Sequence, residues 1–289
     1  MNRKALLIIS MFVFIIFSQT IIAQHQLKSD AVYRGYKGKV KNVKEIHIEK
    51  KKIMGLFSTD RVLTSFDYSF NTDGNLLMFN RVVDGKIIDK TIYEYDNINN
   101  KRYIYFYPEN GSNDTIISIL DENGVLLERT MNIPIIGKCT YKYIYNDSER
   151  TYSKIHITSN DNGEDSTFLV ETFFLDSNWN IYESYKFNRE NKLLEKMIYE
   201  FDNKGNIIKY ETYNEDQLLI KATKYKFNDR SDIIEDKFII YQDDYESLDS
   251  HTFKYKYDTK GNWIKKTRYN IDGSFSDITK REIEYYDEK

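Results

Sequence analysis

Histidine, cysteine and paired carboxylates are the side chains best able to do chemistry, and in this chain they are dispersed. The four histidines, His25, His47, His156 and His251, show no His-x-x-x-His or other metal-ligand spacing. His47 and His156 each stand in Ile-His-Ile, a strand pattern that predicts a solvent-facing ring. The sole cysteine, Cys139, alternates with Tyr141, Tyr143 and Tyr145. That alternation predicts a structural thiol on the same packed face rather than a nucleophile. Neither a Gly-x-Ser-x-Gly elbow, a phosphate loop nor a dinucleotide fingerprint is present in the sequence. Acids are plentiful, but Asp202, Asp258 and Asp272 sit in turns, where backbone hydrogen bonding explains them. The run Ser159–Asp165 is the richest in calcium-type ligands. With Gly163 as the sixth loop position it places Thr158 first and Leu169 twelfth, so the EF-hand pattern fails. The sequence therefore predicts no catalytic residue, no cofactor and no metal site. Two aromatics remain as candidate binding residues. Trp179 replaces the glycine of a recurring turn, and Trp263 follows Gly261-Asn262. Turn-adjacent rings can stack on a sugar or a peptide; the competing reading packs each against its neighbouring hairpin.

The elements that would position such residues are repeated. The pattern aromatic-x-aromatic-Asp/Asn-x-x-Gly-Asn reads YSFNTDGN at Tyr68–Asn75, YEFDNKGN at Tyr199–Asn206 and YKYDTKGN at Tyr255–Asn262. Copies start at Tyr68, Tyr93, Ser118, Tyr143, Phe173, Tyr199, Tyr225 and Tyr255, spaced by 25, 25, 25, 30, 26, 26 and 30 residues. Some are degraded: Ser118–Val125 reads SILDENGV and Tyr225–Asp232 reads YKFNDRSD. A second class of turn falls between them, at Asp84-Gly85, Asn110-Gly111, Asn162-Gly163 and Asp272-Gly273. One period thus holds two turns and two extended segments. Segments such as Thr252–Tyr257 alternate polar and aromatic residues, which puts aromatics on one face of a strand and lysines on the other. Asn-Gly and Asp-Gly are strong hairpin signals. The expected fold is all-β: an antiparallel meander of roughly 16 to 18 strands, forming one long curled sheet, with a two-layer β-sandwich as the alternative. The 25 tyrosines and 17 phenylalanines fit a thin sheet whose side chains lie at a wet boundary.

Around this core the sequence predicts three regions. Residues 1–23 read as a signal peptide: Arg3 and Lys4, an apolar run from Ala5 to Phe17, and a small-residue cleavage point near Ala23-Gln24. Residues 24–66 read as an N-terminal strand and cap, with Ile53–Asp60 as a loop covering an open sheet edge. Residues 67–289 read as the hairpin repeat domain, interrupted at Met131–Lys138 and by an insert at Tyr241–Ser250. Removing Arg3 and Lys4 leaves 40 basic and 45 acidic residues, a net charge of −5, which argues against nucleic acid as a partner. No second apolar run is long enough for a membrane-spanning helix.

The Tyr-x-Tyr-Asp-x-x-Gly-Asn core resembles the RHS/YD-repeat superfamily, and more closely its small, exported, single-domain members. GKVKNVKE at Gly38–Glu45 resembles their opening, and GNWIKKTRYNIDG at Gly261–Gly273 with ITKREIEYY at Ile278–Tyr286 resembles their close. The resemblance spans roughly Tyr33 to Tyr286. It implies a β-strip architecture and an envelope or secreted location, and no reaction. Large members wrap a toxin in a hollow shell; this chain stops after its last repeat and has too few copies to enclose one. The functional expectation is an exported, non-enzymatic scaffold binding an unknown protein or glycan. The alternatives are a hydrolase of polysaccharide or peptidoglycan, and a shell-like, toxin-associated structural protein.

Overall fold

The computed structural model describes residues 29–53, 57–109, 113–133, 137–159, 165–242 and 245–287. A single helical turn, α1 (Asp30–Tyr33), precedes eighteen strands. The first nine are β1 (Val40–Ile53), β2 (Phe57–Phe70), β3 (Leu76–Val83), β4 (Lys86–Asp96), β5 (Lys101–Pro108), β6 (Asp114–Leu120), β7 (Leu126–Ile133), β8 (Gly137–Asn146) and β9 (Thr151–Ser159). They are followed by β10 (Asp165–Leu175), β11 (Ile181–Phe187), β12 (Leu193–Phe201), β13 (Ile207–Tyr213), β14 (Leu219–Phe227), β15 (Ile233–Gln242), β16 (Tyr245–Tyr257), β17 (Trp263–Asn270) and β18 (Phe275–Tyr285). Each strand pairs antiparallel with the next, and β18 pairs antiparallel with β1. The expected meander is present, but it is neither an open curled sheet nor a sandwich: it closes into an 18-stranded barrel. Among the described residues, side-chain clusters and ring contacts join neighbouring strands and not opposite walls. Eighteen steps of about 4.8 Å give a circumference of roughly 86 Å and a width of roughly 27 Å before strand tilt widens it.

Successive turns of a meander alternate between the two ends, so every second turn lies on one rim. The eight repeat copies all supply turns to the same rim; of the second class, Asp84-Gly85 and Asp272-Gly273 lie at the other, and Asn110-Gly111 and Asn162-Gly163 lie outside the described residues. On the motif rim the side-chain oxygen of the leading Asn or Asp accepts two backbone N–H bonds. Asn71 accepts from Asp73 and Asn75, Asp121 from Asn123 and Val125, and Asp202 from Lys204 and Asn206. The fourth turn residue takes a positive φ, 82° at Gly74 and 83° at Gly261. Gly74 also meets a close approach, since a Cβ there would lie 2.5 Å from Ser29 Oγ. A register shift precedes six of these turns, and the pair closing each hairpin is apolar or aromatic: Phe70↔Leu76, Leu120↔Leu126, Leu175↔Ile181, Phe201↔Ile207, Phe227↔Ile233 and Tyr257↔Trp263. One bulge repeated around a rim bends every hairpin the same way, which curves the sheet towards closure.

The two faces of the wall differ in access. Tyr152 and Arg129, 2% and 8% exposed, belong to one face. Lys41 and Glu284, paired on the other face, are about half exposed. The enclosed face carries the motif aromatics in contact across strands. Tyr152 stacks on Phe173 at 4.3 Å and on Tyr145 at 5.2 Å, and Tyr210 lies 6.2 Å from Tyr199 and 6.5 Å from Tyr225. Each such pair contributes about 0.5–1.5 kcal/mol beyond burial. His47 and His156 also face inward, correcting the expectation of solvent-facing rings. In both Ile-His-Ile segments the ring parity follows the aromatics: His47 meets Phe66 edge-on at 5.3 Å, and His156 stacks on Tyr141 at 4.7 Å. Cys139 is buried on the same face.

The N-terminal segment lies against the inner wall where the barrel closes. Ala31 N donates to Gly74 O at 2.9 Å, and Asp30 accepts from Leu76 N at 2.9 Å and Tyr95 Oη at 2.7 Å. Lys37 and Asn262 exchange two bonds at 2.7 and 2.8 Å. The expected cap over an open edge has no edge to cover, because β1 pairs on both sides. Residues 54–56 of that hairpin lie outside the described residues, as do 134–136, 160–164 of the calcium-type run, and 243–244.

At the β1–β18 seam Arg281 Nε donates to Glu45 at 2.9 Å, with both side chains about one-seventh exposed. The Arg281 guanidinium stacks over Trp263, 3.3 Å from its centroid, with Tyr36 on its other side at 4.9 Å. Burial alone would raise the Glu45 pKa. Hydrogen bonds from His47 and Arg281 and the Arg281 charge outweigh it and hold the carboxyl at about 2, against an ordinary 4.5. A depressed folded pKa stabilises above the unfolded value and is lost as pH falls through the folded one. Glu45→Gln is therefore expected to cost about 3 kcal/mol at pH 7. In urea titrations its gap from wild type should narrow between about pH 4.5 and about pH 2; a constant gap would show that the seam carboxylate is not the source. Trp263→Leu removes one plate of the arginine sandwich and is expected to cost about 2 kcal/mol by the same titration.

Candidate ligand-binding face of the barrel wall

The inner wall is built in lateral rows, because antiparallel register brings directly opposed residues to the same face. One row runs unbroken from β4 to β10: Tyr95↔Arg102↔Ser118↔Arg129↔Tyr141↔His156↔Phe168. Two arginines thus stand two strands apart with a serine between them. Ser118 opens the degraded motif copy, where all other copies carry Tyr or Phe. The next row towards the far rim is apolar beyond its first residue: Tyr93↔Ile104↔Ile116↔Met131↔Cys139.

The electrostatics of these arginines are unusual for a barrel wall. Arg129 is 8% exposed, and its Nε donates to Ser118 Oγ at a long 3.4 Å. Among the described residues no carboxylate forms an ion pair with it. Burial, with the Arg102 charge, pushes its pKa down. Arg102 lies over the Tyr95 ring at 5.0 Å and 4.0 Å from Asp30, and its buried Nε has no hydrogen-bond partner. Asp30 is already engaged by Leu76 N and Tyr95 Oη. Lys154, one row nearer the motif rim, lies over Tyr141 at 4.5 Å, and burial lowers its pKa to about 8. Burial raises the pKa of Tyr93, whose hydroxyl lies in the fields of Arg34, Arg102 and Arg129. His156 Nε2 is buried without a partner, and burial pushes that ring towards its neutral form.

Elsewhere on the inner wall, acids are matched to bases. Asp89 pairs with Arg81 at 2.5 Å, Asp277 with Arg268 at 2.6 Å, Asp236 with His251 at 2.9 Å, and Glu45 with Arg281. Each is paired with a basic group, although Asp277 also stands directly opposite Glu49 across the seam. The row around Arg129 joins two arginines to one carboxylate; Lys221 and Lys266 elsewhere on the wall are likewise held over aromatic rings.

The two tryptophans are not brought together. Trp179 occupies the motif-rim turn 176–180 at φ 65° and packs on the cluster of Tyr143, Tyr152, Phe173, Leu175 and Ile181. Trp263 begins β17, six strands along the wall from β11, and holds Arg281. Arg102, Ser118, Arg129 and Lys154 were absent from the sequence-derived candidates. Their signal was the replacement of an inward tyrosine by Ser118, on a strand whose neighbours carry arginine at the same depth.

No family model matches the chain, and no curated protein matches it in sequence. Solved structures align along most of its length at low identity. A porin-like protein from Bacteroides uniformis ATCC 8492 shares 10% identity over 86% of this chain and 98% of that one, with a TM-score of 0.40. A porin-like protein from Bacteroides vulgatus ATCC 8482 shares 11% identity over 83% and 97%, with a TM-score of 0.38. A putative outer membrane lipoprotein-sorting protein domain from Vibrio parahaemolyticus shares 11% identity over 86% and 88%, with a TM-score of 0.21. The resemblance to the RHS/YD-repeat superfamily is corrected: no family model of it matches the chain, and the sheet is a closed ring rather than an open strip. The physical reason is that Tyr-x-Tyr-Asp-x-x-Gly-Asn encodes a bulged, side-chain-capped hairpin, which serves any curved meander.

Proposed function

We propose that this chain is an exported, non-enzymatic barrel of the cell envelope, wetted on its outside, that binds a ligand on its inner wall. The observation that carries this reading is the division of chemistry between the faces. Outward positions at mid-strand form charged ladders: Lys196 with Glu183 at 2.6 Å, Lys209 with Glu200 at 2.9 Å and Glu211 at 3.0 Å, and Lys226 with Glu235 at 2.8 Å. Register places Lys44, Lys280 and Glu282 on the same outer face at the seam. A membrane barrel needs the reverse, an apolar outer band about 25 Å tall, and each midplane lysine there costs about 2–4 kcal/mol. Several such lysines outweigh the insertion of the intervening Ile and Tyr. Seven strands, at seven or eight residues, also fall short of the usual span of about 9–11. Export follows from the apolar N-terminal segment of the sequence.

The protein lacking residues 1–23 is expected to purify without detergent and to remain in the dense fraction when floated with phospholipid vesicles. It should leave the solute permeability of those vesicles unchanged. Flotation with the vesicles, or leakage through them, would overturn the wetted-exterior reading and restore a pore. Inner-wall binding predicts that an apolar fluorescent dye is taken up saturably by the folded chain and released on unfolding in urea.

A further inference from the structure

We infer that the wall around Arg102, Ser118 and Arg129 binds an amphipathic anion, its head between the two guanidinium groups and its apolar body over Ile104, Ile116 and Met131. This rests on the reading of the inner wall as the ligand-binding face. The geometry points to it in three steps. First, adjacent strands are about 4.8 Å apart, so Arg102 and Arg129 rise from points roughly 10 Å apart across Ser118. A tyrosine at the central position, as in the other motif copies, would fill the space between them. Ser118 is 1% exposed and leaves that space to the long side chains and to whatever they hold.

Second, two positive charges share one carboxylate. A buried arginine without a counter-ion is costly, and proteins ordinarily pair it or keep it near water. Arg129 has a hydroxyl and no carboxylate, and the one acid beside Arg102, Asp30, binds Leu76 N and Tyr95 Oη through Oδ2 while its Oδ1 lies 4.0 Å from the guanidinium. The orphaned Arg102 Nε and the weak Arg129–Ser118 contact are donors that a carboxylate or phosphate oxygen would satisfy. Tyr93, Arg34 and Lys154 add donors or positive field at the edge of the same space.

Third, the surroundings are directional. Towards the far rim the wall continues as Ile104, Ile116, Met131 and Cys139, without a charge in that row. Ile116 and Cys139 are buried in the wall, and Ile104 and Met131 are half-buried; a small inorganic anion would leave these last two in contact with water. A molecule carrying its anion at one end covers them, and flexible Met131 adapts to the body.

The test uses the chain without residues 1–23 and four probes in calorimetric titration: decanoate, decyl phosphate, 1-decanol and inorganic phosphate. Decanoate or decyl phosphate is expected to bind saturably, more tightly than decanol, with an affinity that falls as salt rises. Whichever of the two binds better identifies the head group as carboxylate or phosphate. Arg102→Gln and Arg129→Gln are each expected to weaken that binding about tenfold or more, and Ser118→Tyr to abolish it. The outward Lys196→Gln should bind as wild type does. Decanol binding as tightly as decanoate, independent of salt, would overturn the anion site while leaving a ligand-binding wall. Inorganic phosphate binding as tightly as decyl phosphate would overturn the amphiphile. Failure of all four probes would overturn both this inference and the inner-wall reading. The comparisons of probes and salt on the wild-type chain decide the matter even where a variant does not fold.

Discussion

Everything else in this molecule depends on one pairing, that of β1 with β18. Residues 42–49 meet residues 277–284 across nearly the whole chain, and through them a strip with two raw edges becomes a wall with none. Unpaired strand edges recruit other strands, so closure removes the main hazard of so long a meander. It also creates an inside. Only after closure do the motif aromatics line an enclosed space, although Arg129 and Tyr152 are already covered by neighbours on adjacent strands. The seam is reinforced accordingly. Arg281 is stacked between Trp263 and Tyr36 while paired to Glu45, and the N-terminal segment is tied to both the 71–75 turn and Asn262. Contacts of such sequence separation form late, because loop-closure entropy is lost before they are gained.

Closure also sets the curvature that the hairpins must supply. A bulge before six of the motif-rim turns, each beside an inward apolar closing pair, gives nearly every repeat the same bend. The repeat is thus a device for curvature: its two aromatics share the inner face, and the bulge turns the first residue of the next strand, such as Leu76, Ile207 or Trp263, onto the same face. The outer face then has only to stay soluble, which explains its Lys–Glu ladders. Individually these exposed pairs add little stability. In the reading proposed above, their role is to keep the outer wall in water.

Much of the fold was legible in the sequence because its signals are local. Period-two alternation marks Thr252–Tyr257 as a strand, and Asp202 with Gly205 marks a turn, whatever the rest of the chain does. Closure was not legible, since nothing within Val40–Glu49 or Asp277–Tyr285 announces its partner. Open strip, sandwich and ring share the same local pattern. The histidines were misread for a related reason. Ile-His-Ile by itself puts isoleucine inside, but His156 has the same parity as Tyr152, and the aromatic row decides the direction of the strand. The arginine row was hidden because Arg and Lys are read as surface residues. In this wall Arg129 is more deeply buried than most of the aromatics around it.

The two departures from the motif that matter most break different rules. Trp179 breaks a backbone rule: a bulky side chain stands at φ 65°, where the other copies with this turn have glycine or serine. That conformation costs on the order of 1 kcal/mol, and the ring offsets it by covering the rim cluster, so the cost and its compensation are local. Ser118 breaks a side-chain rule and gains nothing locally. It forgoes the burial of an aromatic ring, commonly about 1.5–3 kcal/mol, at a position where the wall would accept one. It leaves beside it a buried arginine without a carboxylate. A loss of packing that also uncovers an unpaired charge is not a device for stability. That conjunction separates the Arg102–Ser118–Arg129 row from the rest of the ring, where each departure from regularity is repaired by its neighbours.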